Sequence, residues 1–296
     1  MNEAYRNLRE RLDGKLQFLP DKPEETVDST LHALWMTAAG RPMSAEAAVD
    51  VTLPDLDAKK RTLLDSLIEQ RIAGIPLAHI TGRQRFLDIE MLAGHEALVP
   101  RKETELLANL AIELGKDLAA ERAKITAIDV CTGCGNVALA IAKHVPAARV
   151  FGADLSEEAV SLAQRNADHL GLSEHAQFRA GDLLAPFDEP AFLGSVDLLT
   201  CNPPYISSAK VGQMAEEISA HEPRLAFDGG PFGVAILMRL LQDAPKFLKP
   251  GGWLAFEVGL GQGPAMQKRL TSAGVYHDIR TIADHNGAIR ALAARV

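Results

Sequence analysis

The feature that most constrains the fold is an alternation of short apolar runs with amphipathic stretches, which begins near Arg101. Ile125–Val130 has the length and composition of a buried strand, and a helical pattern over Asn136–His144 follows it. Further strands are predicted at residues 149–153, 177–180, Val196–Cys201 and 253–258, with helices at residues 156–170 and 232–247. Alternating β and α elements predict a mostly parallel sheet with helices on both faces.

Two more strands are predicted at residues 276–282 and 289–294, on either side of Asn286-Gly287. This dipeptide favours a tight hairpin turn, so both strands should be antiparallel and close one edge of the sheet. The predicted fold class is therefore α/β, with a doubly wound, mostly parallel seven-stranded sheet and a small helical N-terminal domain.

The N-terminal part of the chain has helical periodicity instead. An apolar side is formed by Leu31, Leu34, Trp35 and Ala38, and a second one by Leu63, Leu64, Leu67 and Ile68. Gly40-Arg41-Pro42 should end the first helix, and Asp57 is a candidate N-cap of the second. Residues 1–25 predict a short helix or a loose arm. We expect three parts: a helical substrate-recognition domain (1–73), a linker with a β-hairpin (74–100), rich in Gly and Pro, and a catalytic domain (101–296).

Composition narrows the functional class. Hydrophobic residues make up 47% and charged residues 24% of the 296 residues, which is typical of a globular protein. The net charge is −8 and no basic run occurs, so direct binding to nucleic acid is unlikely. No apolar run is long enough to span a membrane. Three cysteines, an odd and small number, favour a reducing compartment, and we expect a cytoplasmic protein.

A small-residue loop follows the first predicted strand of the sheet. Its candidate ligand-binding residues are Asp129, Cys131, Thr132, Gly133, Cys134 and Gly135. Small residues let a backbone approach a ligand closely, and the helix that follows offers free N–H groups. The acid at the end of the next strand, Asp154, is placed to accept hydrogen bonds from ribose hydroxyls, with Leu155 beside it.

The loop lacks the Gly-Lys-Ser/Thr ending of a triphosphate site and a complete dinucleotide pattern. S-adenosylmethionine carries no pyrophosphate, so it suits this shorter turn, with Asp182 and Leu183 expected near the adenine. Cys131 and Cys134 form a C-x-x-C pair, but no second Cys or His pair lies at ligand spacing. We therefore interpret them as small residues of the loop and predict no metal.

Asn202-Pro203-Pro204-Tyr205 follows directly on the strand Val196–Cys201. The prolines remove two N–H donors, which leaves carbonyl and carboxamide oxygens as acceptors. Asn202 and the Pro203 carbonyl could hold both N–H groups of a planar NH₂, while Tyr205 stacks on the acceptor. These four residues are the predicted catalytic set, and Asn202 also borders the cofactor. They should act by orienting the nitrogen, without a strong base.

These motifs together resemble the protein-(glutamine-N5) methyltransferases that modify peptide-chain release factors or a large-subunit ribosomal protein. The resemblance covers residues 26–296. Its segments are 71–82, 99–105, the cofactor loop, Asn202-Pro203-Pro204-Tyr205-Ile206, His221-Glu222-Pro223 and Gly229-Gly230. It implies S-adenosylmethionine as cofactor and a glutamine side chain as acceptor, most often in a release factor.

The chain departs from the release-factor pattern at three places. Lys102-Glu103 stands where Pro-Asp is usual, Cys131 and Cys134 replace Gly and Thr, and Pro231-Phe232 interrupts a usual Gly-Gly-x-Asp-Gly stretch. The first of the two cysteines is more typical of the ribosomal-protein branch. A ribosomal protein, a small molecule or a biosynthetic peptide therefore stay open as acceptors. A nucleic-acid base methyltransferase and a non-catalytic cofactor-binding module are the alternatives from other classes.

Overall fold

A computed structural model describes residues 3–212 and 216–296 of the chain. The helices are α1 (Glu3–Leu12), α2 (Val27–Ala38), α3 (Ala45–Ala48), α4 (Ala58–Ile72), α5 (Leu77–Thr81), α6 (Thr104–Glu121), α7 (Asn136–His144), α8 (Glu157–Leu170), α9 (Ser208–Val211), α10 (Glu216–His221), α11 (Ala235–Phe247) and α12 (Gly263–Ser272). The strands are β1 (Arg83–Phe86), β2 (Ile89–Leu92), β3 (Ile125–Val130), β4 (Ala148–Asp154), β5 (Ala176–Ala180), β6 (Val196–Cys201), β7 (Leu248–Glu257), β8 (His277–Ala283) and β9 (Ile289–Arg295). None of the helices in the described part is both long and apolar enough to cross a bilayer.

The chain divides into two compact units. The described residues of the first unit are 3–95, 99–102 and 216–222, and those of the second are 96–98, 103–212 and 223–296. The first unit thus contains α1 to α5, the β1–β2 hairpin and α10, which comes from much later in the chain. The division into parts at residues 73 and 100, made from the sequence, stays a proposal about roles.

The first unit has a helical core of its own. The four predicted residues of α2 are all buried, and that helix ends at Ala38, as Gly40-Arg41-Pro42 indicated. Asp57 caps α4 by accepting a hydrogen bond from the Lys60 backbone N–H at 2.9 Å, which confirms the predicted N-cap. The prediction for Leu63 was wrong, because its side chain is 45% exposed. α4 turns its buried side through Leu64, Leu67 and Ile68, and Leu63 lies beyond the edge of that side.

A groove with a volume of about 960 Å³ lies in the first unit. Its apolar and aromatic lining includes Tyr5, His32, Trp35, Val49, Leu53 and Pro54. The indole N–H of Trp35 donates to the Pro54 carbonyl at 2.8 Å, which fixes one wall of the groove. The Val49 side chain is 49% exposed and is therefore available to a partner.

Buried ion pairs fasten α10 into the first unit. The Glu217 carboxylate forms ion pairs with Lys22 Nζ and with Arg71 Nη1, each at 2.9 Å. Arg71 Nη2 also forms an ion pair with Glu25 at 2.9 Å. Burial acts to raise the pKa of Glu217, but the two cations outweigh it and the pKa ends below its usual range. Charges this deeply buried are tolerated only as a set, because removing one leaves its partners desolvated and unpaired.

The second unit is built on the predicted seven-stranded sheet. Its strand order is β5-β4-β3-β6-β7-β9-β8. The first five of these strands are parallel, and β9 and β8 add the antiparallel edge that the Asn286-Gly287 turn predicted. The fold class predicted from the sequence is therefore confirmed. A core of apolar side chains from β3, β4, β6, β7 and α11 fills one side of the sheet.

Two element boundaries differ from the prediction by three residues or more. α11 begins at Ala235, three residues after the predicted start, and Phe232 is 85% exposed. The Gly230-to-Gly233 stretch takes left-handed backbone at both glycines, which no helix can accommodate. β7 begins at Leu248, earlier than the predicted residue 253, because its first residue pairs with Val196 across an irregular register.

The order of the strands places two loops side by side. The strand order changes direction at β3: β4 and β5 are added on one side of it, and the chain then returns to place β6 on the other side. Val130 and Cys201, which end these strands, are in register. The loops that follow them therefore leave the same edge of the sheet together, at the position where ligands bind in folds of this class.

Candidate active site

The loop after β3 is shaped by two glycines in left-handed backbone. Gly133 has φ 53° and Gly135 has φ 84°. A Cβ on Gly135 would come within about 3.2 Å of Phe178, Ala163 and Leu139, whereas a Cβ on Gly133 would meet nothing within 4 Å. Gly135 therefore packs against the protein, and the space above Gly133 is open for a ligand.

Asp129 lies beneath this loop. Its side chain is 1% exposed, and its two oxygens accept hydrogen bonds from Thr132 Oγ1 at 2.6 Å and Thr200 Oγ1 at 2.7 Å. Burial raises the pKa of Asp129 to about 6, although both hydroxyls act to lower it. The sequence placed Asp129 among the cofactor contacts. Its position indicates that it acts by holding β3, β6 and the loop together.

Asp154 ends β4 beside the loop. Its Oδ2 accepts the Gly133 N–H at 2.8 Å and its Oδ1 accepts the Ser156 N–H at 3.0 Å. Burial raises the pKa of Asp154, and these backbone bonds oppose that rise. Each carboxylate oxygen can accept more than one hydrogen bond, so Asp154 retains acceptor capacity for a diol. Leu155, next to it, is 58% exposed and offers an apolar surface at the same edge.

The residues expected near the adenine separate in the structure. Asp182 forms an ion pair with Arg239 at 2.7 Å, and both side chains are about half exposed. Leu183 has a φ of 50° and is 8% exposed, because its side chain packs into the core of the second unit. The leucine side chain is therefore part of the core, which residue type alone does not reveal.

The cysteines are free thiols. Cys134 is 2% exposed, and burial raises its pKa to about 12, so it is a thiol rather than a thiolate. Cys131 has a φ of 56° and packs on the core that contains Cys201. Among the residues that the structure describes, no group of three or more His, Cys, Asp or Glu side chains could hold a metal ion.

The loop after β6 is packed by glycines from two other segments. A Cβ on Gly229 would lie 2.3 Å from the Pro204 carbonyl oxygen, and one on Gly259 would lie 2.9 Å from the Tyr205 ring. Ile206 N–H donates to the Phe227 carbonyl at 3.0 Å. The Asn202–Tyr205 loop is therefore held tightly on its inner side.

Gln262 supports the same loop. Its Nε2 donates to the Tyr205 carbonyl at 3.1 Å and to the Gly233 carbonyl at 3.2 Å, while its Oε1 accepts the Gly259 N–H at 2.9 Å. One carboxamide thus joins three backbone segments. Gln262 was not among the site residues predicted from the sequence, since it lies far along the chain and carries no motif of its own.

Behind Asn202 lies a small polar cluster. Asn202 Nδ2 donates to Thr104 Oγ1 at 3.1 Å, so the carboxamide oxygen points away from Thr104. Glu257, the last residue of β7, is 1% exposed. Burial raises its pKa to about 7, against hydrogen bonding with Thr104 and Tyr205 and the charge of Arg290. Arg290 in turn pairs with Glu103.

Known proteins show which family has this arrangement. A family model described as a methyltransferase domain matches residues 121–268. The release factor glutamine methyltransferase of Moorella thermoacetica is 36% identical over 227 residues, which cover 77% of each chain. That of Geobacter sulfurreducens is 30% identical over 289 residues, 98% of this chain and 96% of the relative. This chain belongs to the release factor glutamine methyltransferase family.

Solved structures confirm the fold of this methyltransferase. The human methyltransferase 10 domain containing protein superposes with a TM-score of 0.51 at 18% identity, covering 70% of this chain and 88% of its own. The hMettl16 catalytic domain in complex with the MAT2A 3'UTR hairpin 6 gives 0.53 at 15% identity, covering 69% and 74%. At these identities the likeness concerns the fold alone.

S-adenosylmethionine is the methyl donor of this methyltransferase, and the loop after β3 suits it. The open space above Gly133, the start of α7 and the Asp154 carboxylate lie at the ends of adjacent parallel strands. Together they offer backbone N–H groups, an acceptor for hydroxyls and an apolar surface at Leu155. A nucleoside with a short, charged tail requires this combination of donors, an acceptor and an apolar contact.

Proposed function

We propose that this methyltransferase transfers a methyl group from S-adenosylmethionine to the side-chain amide nitrogen of a glutamine in a peptide-chain release factor. The observation that carries the proposal is the orientation of Asn202. Its Nδ2 is occupied by Thr104, and its oxygen is free to accept a hydrogen bond beside the cofactor loop. An amide NH₂ needs an acceptor in that place, and the names of the relatives indicate the class of protein that carries it.

The proposed mechanism depends on orientation. Asn202 Oδ1 and the Pro203 carbonyl accept the two N–H groups, and the Tyr205 ring supports the planar amide. Gly229 packs closely against the Pro204 carbonyl, which leaves the loop little room to move toward that glycine. The bound cofactor supplies an electrophilic methyl group. Holding the nitrogen in line with it contributes mainly through proximity and preorganised hydrogen bonds, with no strong base.

The first unit is proposed to dock the protein substrate. The site itself contacts only a few atoms of an amide, so affinity for a large acceptor must come from surface elsewhere. Acidic residues outnumber basic ones over residues 1–90, which suits a protein better than RNA. The 960 Å³ groove beside Trp35 offers a surface of the first unit that fits an apolar side chain. Free cysteines in both the loop and the core suit a reducing cytoplasm.

The test uses purified protein, isotopically labelled cofactor and three acceptors: an intact release factor, a large-subunit ribosomal protein and RNA. We expect label on one glutamine of the release factor, located by mass spectrometry of its peptides. Label on the ribosomal protein or on RNA instead would refute the proposed acceptor.

The residue assignment has its own test. Asn202→Ala should lower turnover by about 10²–10³-fold with cofactor affinity unchanged, since one orienting bond in a closed site is lost. The matched control is Asn109→Ala, the same change at an exposed position of α6. Turnover of Asn202→Ala within threefold of the control would remove Asn202 from the mechanism.

A further inference from the structure

Three polar side chains from distant segments form a row behind the proposed acceptor site. β6 and β7 are parallel and Cys201 pairs with Phe256, so Asn202 and Glu257 leave the sheet at the same level. Thr104, the first residue of α6, is 2% exposed and lies between them, where its hydroxyl can both donate and accept a hydrogen bond. Its hydroxyl bonds to Asn202 at 3.1 Å and also interacts with the Glu257 carboxylate.

The protons of this row define the direction of its hydrogen bonds. An ionised carboxylate can only accept, and a threonine hydroxyl has a single proton. When Thr104 donates that proton to Glu257, its oxygen can only accept from Asn202. The donor side of the Asn202 carboxamide must then face Thr104, and its acceptor side faces the opposite way.

Glu257 is unusual in its surroundings. It follows a buried run of glycine and apolar residues, 252–256 of β7, and its Oε2 has no hydrogen-bond partner among the described residues. A buried carboxylate without full compensation costs stability, so its presence indicates a role other than packing.

We propose that Thr104 and Glu257 are positioning residues that hold the Asn202 carboxamide with its oxygen toward the methyl acceptor. The inference rests on the proposed function for the identity of that acceptor, but the orientation of Asn202 can be measured without it. Thr104 acts through Asn202 and Glu257 acts through Thr104.

The row should respond to pH. Protonated Glu257 can donate to Thr104, which frees the threonine proton to donate to Asn202 Oδ1 and favours the reversed carboxamide. The other charged or titratable groups around Glu257 are Tyr205, Arg290 and Glu103. Arg290 favours the ionised form, whereas Glu103 opposes it, and burial raises the pKa of Tyr205 so that it stays a neutral phenol.

The first measurement is the turnover number at saturating cofactor, from pH 5.5 to 9, for the wild type, Thr104→Val, Thr104→Ser and Glu257→Gln. Thr104→Val should lose about tenfold, the value of one hydrogen bond, with the dissociation constant for cofactor unchanged. Thr104→Ser should recover to within threefold. The acid limb of the wild-type profile, with its midpoint near pH 7, should be absent in Glu257→Gln.

The second measurement is independent of any substrate. The side-chain NH₂ resonances of Asn202, assigned by their loss in Asn202→Ala, should shift in Thr104→Val and return in Thr104→Ser. They should titrate near pH 7 in the wild type and not in Glu257→Gln. Asn202 resonances that do not shift in Thr104→Val and titrate in Glu257→Gln as they do in the wild type would overturn the inference.

The two measurements separate the possible failures. Wild-type protein that shows the Asn202 titration but methylates no protein glutamine would contradict the proposed function. The positioning role of Thr104 and Glu257 would still stand. If the wild-type protein methylates the release factor and Thr104→Val is as active as Thr104→Ser, the proposed function would stand. The positioning role of Thr104 and Glu257 would be refuted.

Discussion

Gly233 lies against Tyr205 so closely that a Cβ on the glycine would be 2.1 Å from the Tyr205 carbonyl oxygen. Gly233 also has a φ of 68°, so any L side chain there is strained in addition to clashing. Gly233→Ala should therefore displace the Asn202–Tyr205 loop and lower turnover at least 100-fold. Binding of cofactor, measured by calorimetry, should change little because the loop after β3 is untouched.

Gly212→Ala is the control for that substitution. Gly212 has open space around its Cα and a φ of −70°, and it should therefore accept a methyl group without loss of turnover. Equal effects of the two substitutions would show that the clash at Tyr205 is without consequence.

Asp154→Ala should weaken binding of S-adenosylmethionine by about 10- to 100-fold. The change removes a charge-assisted acceptor for ribose hydroxyls, worth roughly 1.5–3 kcal/mol, and also releases the Gly133 N–H that Asp154 holds. Titration calorimetry measures the affinity directly. Asp168→Ala, at an exposed position of α8, supplies the comparison, and an Asp154 variant that binds cofactor as well as Asp168→Ala would remove Asp154 from the cofactor site.

The sequence was sufficient for the sheet because local signals determine it. β3 and β6 coincide with the predicted Ile125–Val130 and Val196–Cys201, since each is a short apolar run that ends at a turn signal. The position of the Asn202–Tyr205 motif directly after a strand of the sheet also followed, because ligands of this fold class bind at the carboxyl ends of the strands. The roles assigned to Asn202 and Asp154 stay predictions.

The features of the site that were not predicted from the sequence depend on contacts between residues far apart in the chain. Thr104 lies 98 residues before Asn202, and its only signal was membership of the 99–105 segment. Glu257 had a signal of another kind, an acid at the end of a buried strand, and it was not used. Leu183 could not be assigned to the core or to a ligand, because a leucine suits both, and only its burial in the folded protein decides.

Glu257 should also make stability depend on pH. Its pKa rises from 4.5 to about 7 in the folded protein, so the folded state favours the protonated carboxyl. The stabilisation from this group is therefore complete below pH 4.5 and is lost as the pH rises through 7. It corresponds to about 3 kcal/mol at most.

Glu257→Gln removes that dependence. The difference in unfolding free energy between the variant and the wild type should move in favour of the variant between pH 5 and pH 8, measured by denaturant titration. Asp129, whose pKa is also raised, is present in both proteins and cancels in the difference. A difference that is constant with pH would mean that Glu257 is not the titrating group.

Val49→Glu tests the groove of the first unit as a docking surface. We expect turnover on an intact release factor to fall about tenfold or more, while turnover on a short glutamine peptide stays unchanged. Leu63→Glu is closely matched, because Leu63 is 45% exposed against 49% for Val49 and lies outside the groove. Loss on the peptide, or equal loss in both variants, would contradict docking at the groove.

The contribution of α10 to the first unit has a consequence for biosynthesis. The chain is synthesised from its N-terminus. The segment α1 to α5, with Lys22, Glu25 and Arg71, therefore emerges from the ribosome long before Glu217 has been translated. Through that interval two cations and one carboxylate of the unit lack their fourth member, while β3, β4, β5 and β6 are already available to pair. The N-terminal unit therefore begins to form first, but it is completed only after four strands of the sheet have been translated. Until α10 has been translated, burying Lys22, Glu25 and Arg71 leaves one positive charge unpaired, which disfavours the closed unit.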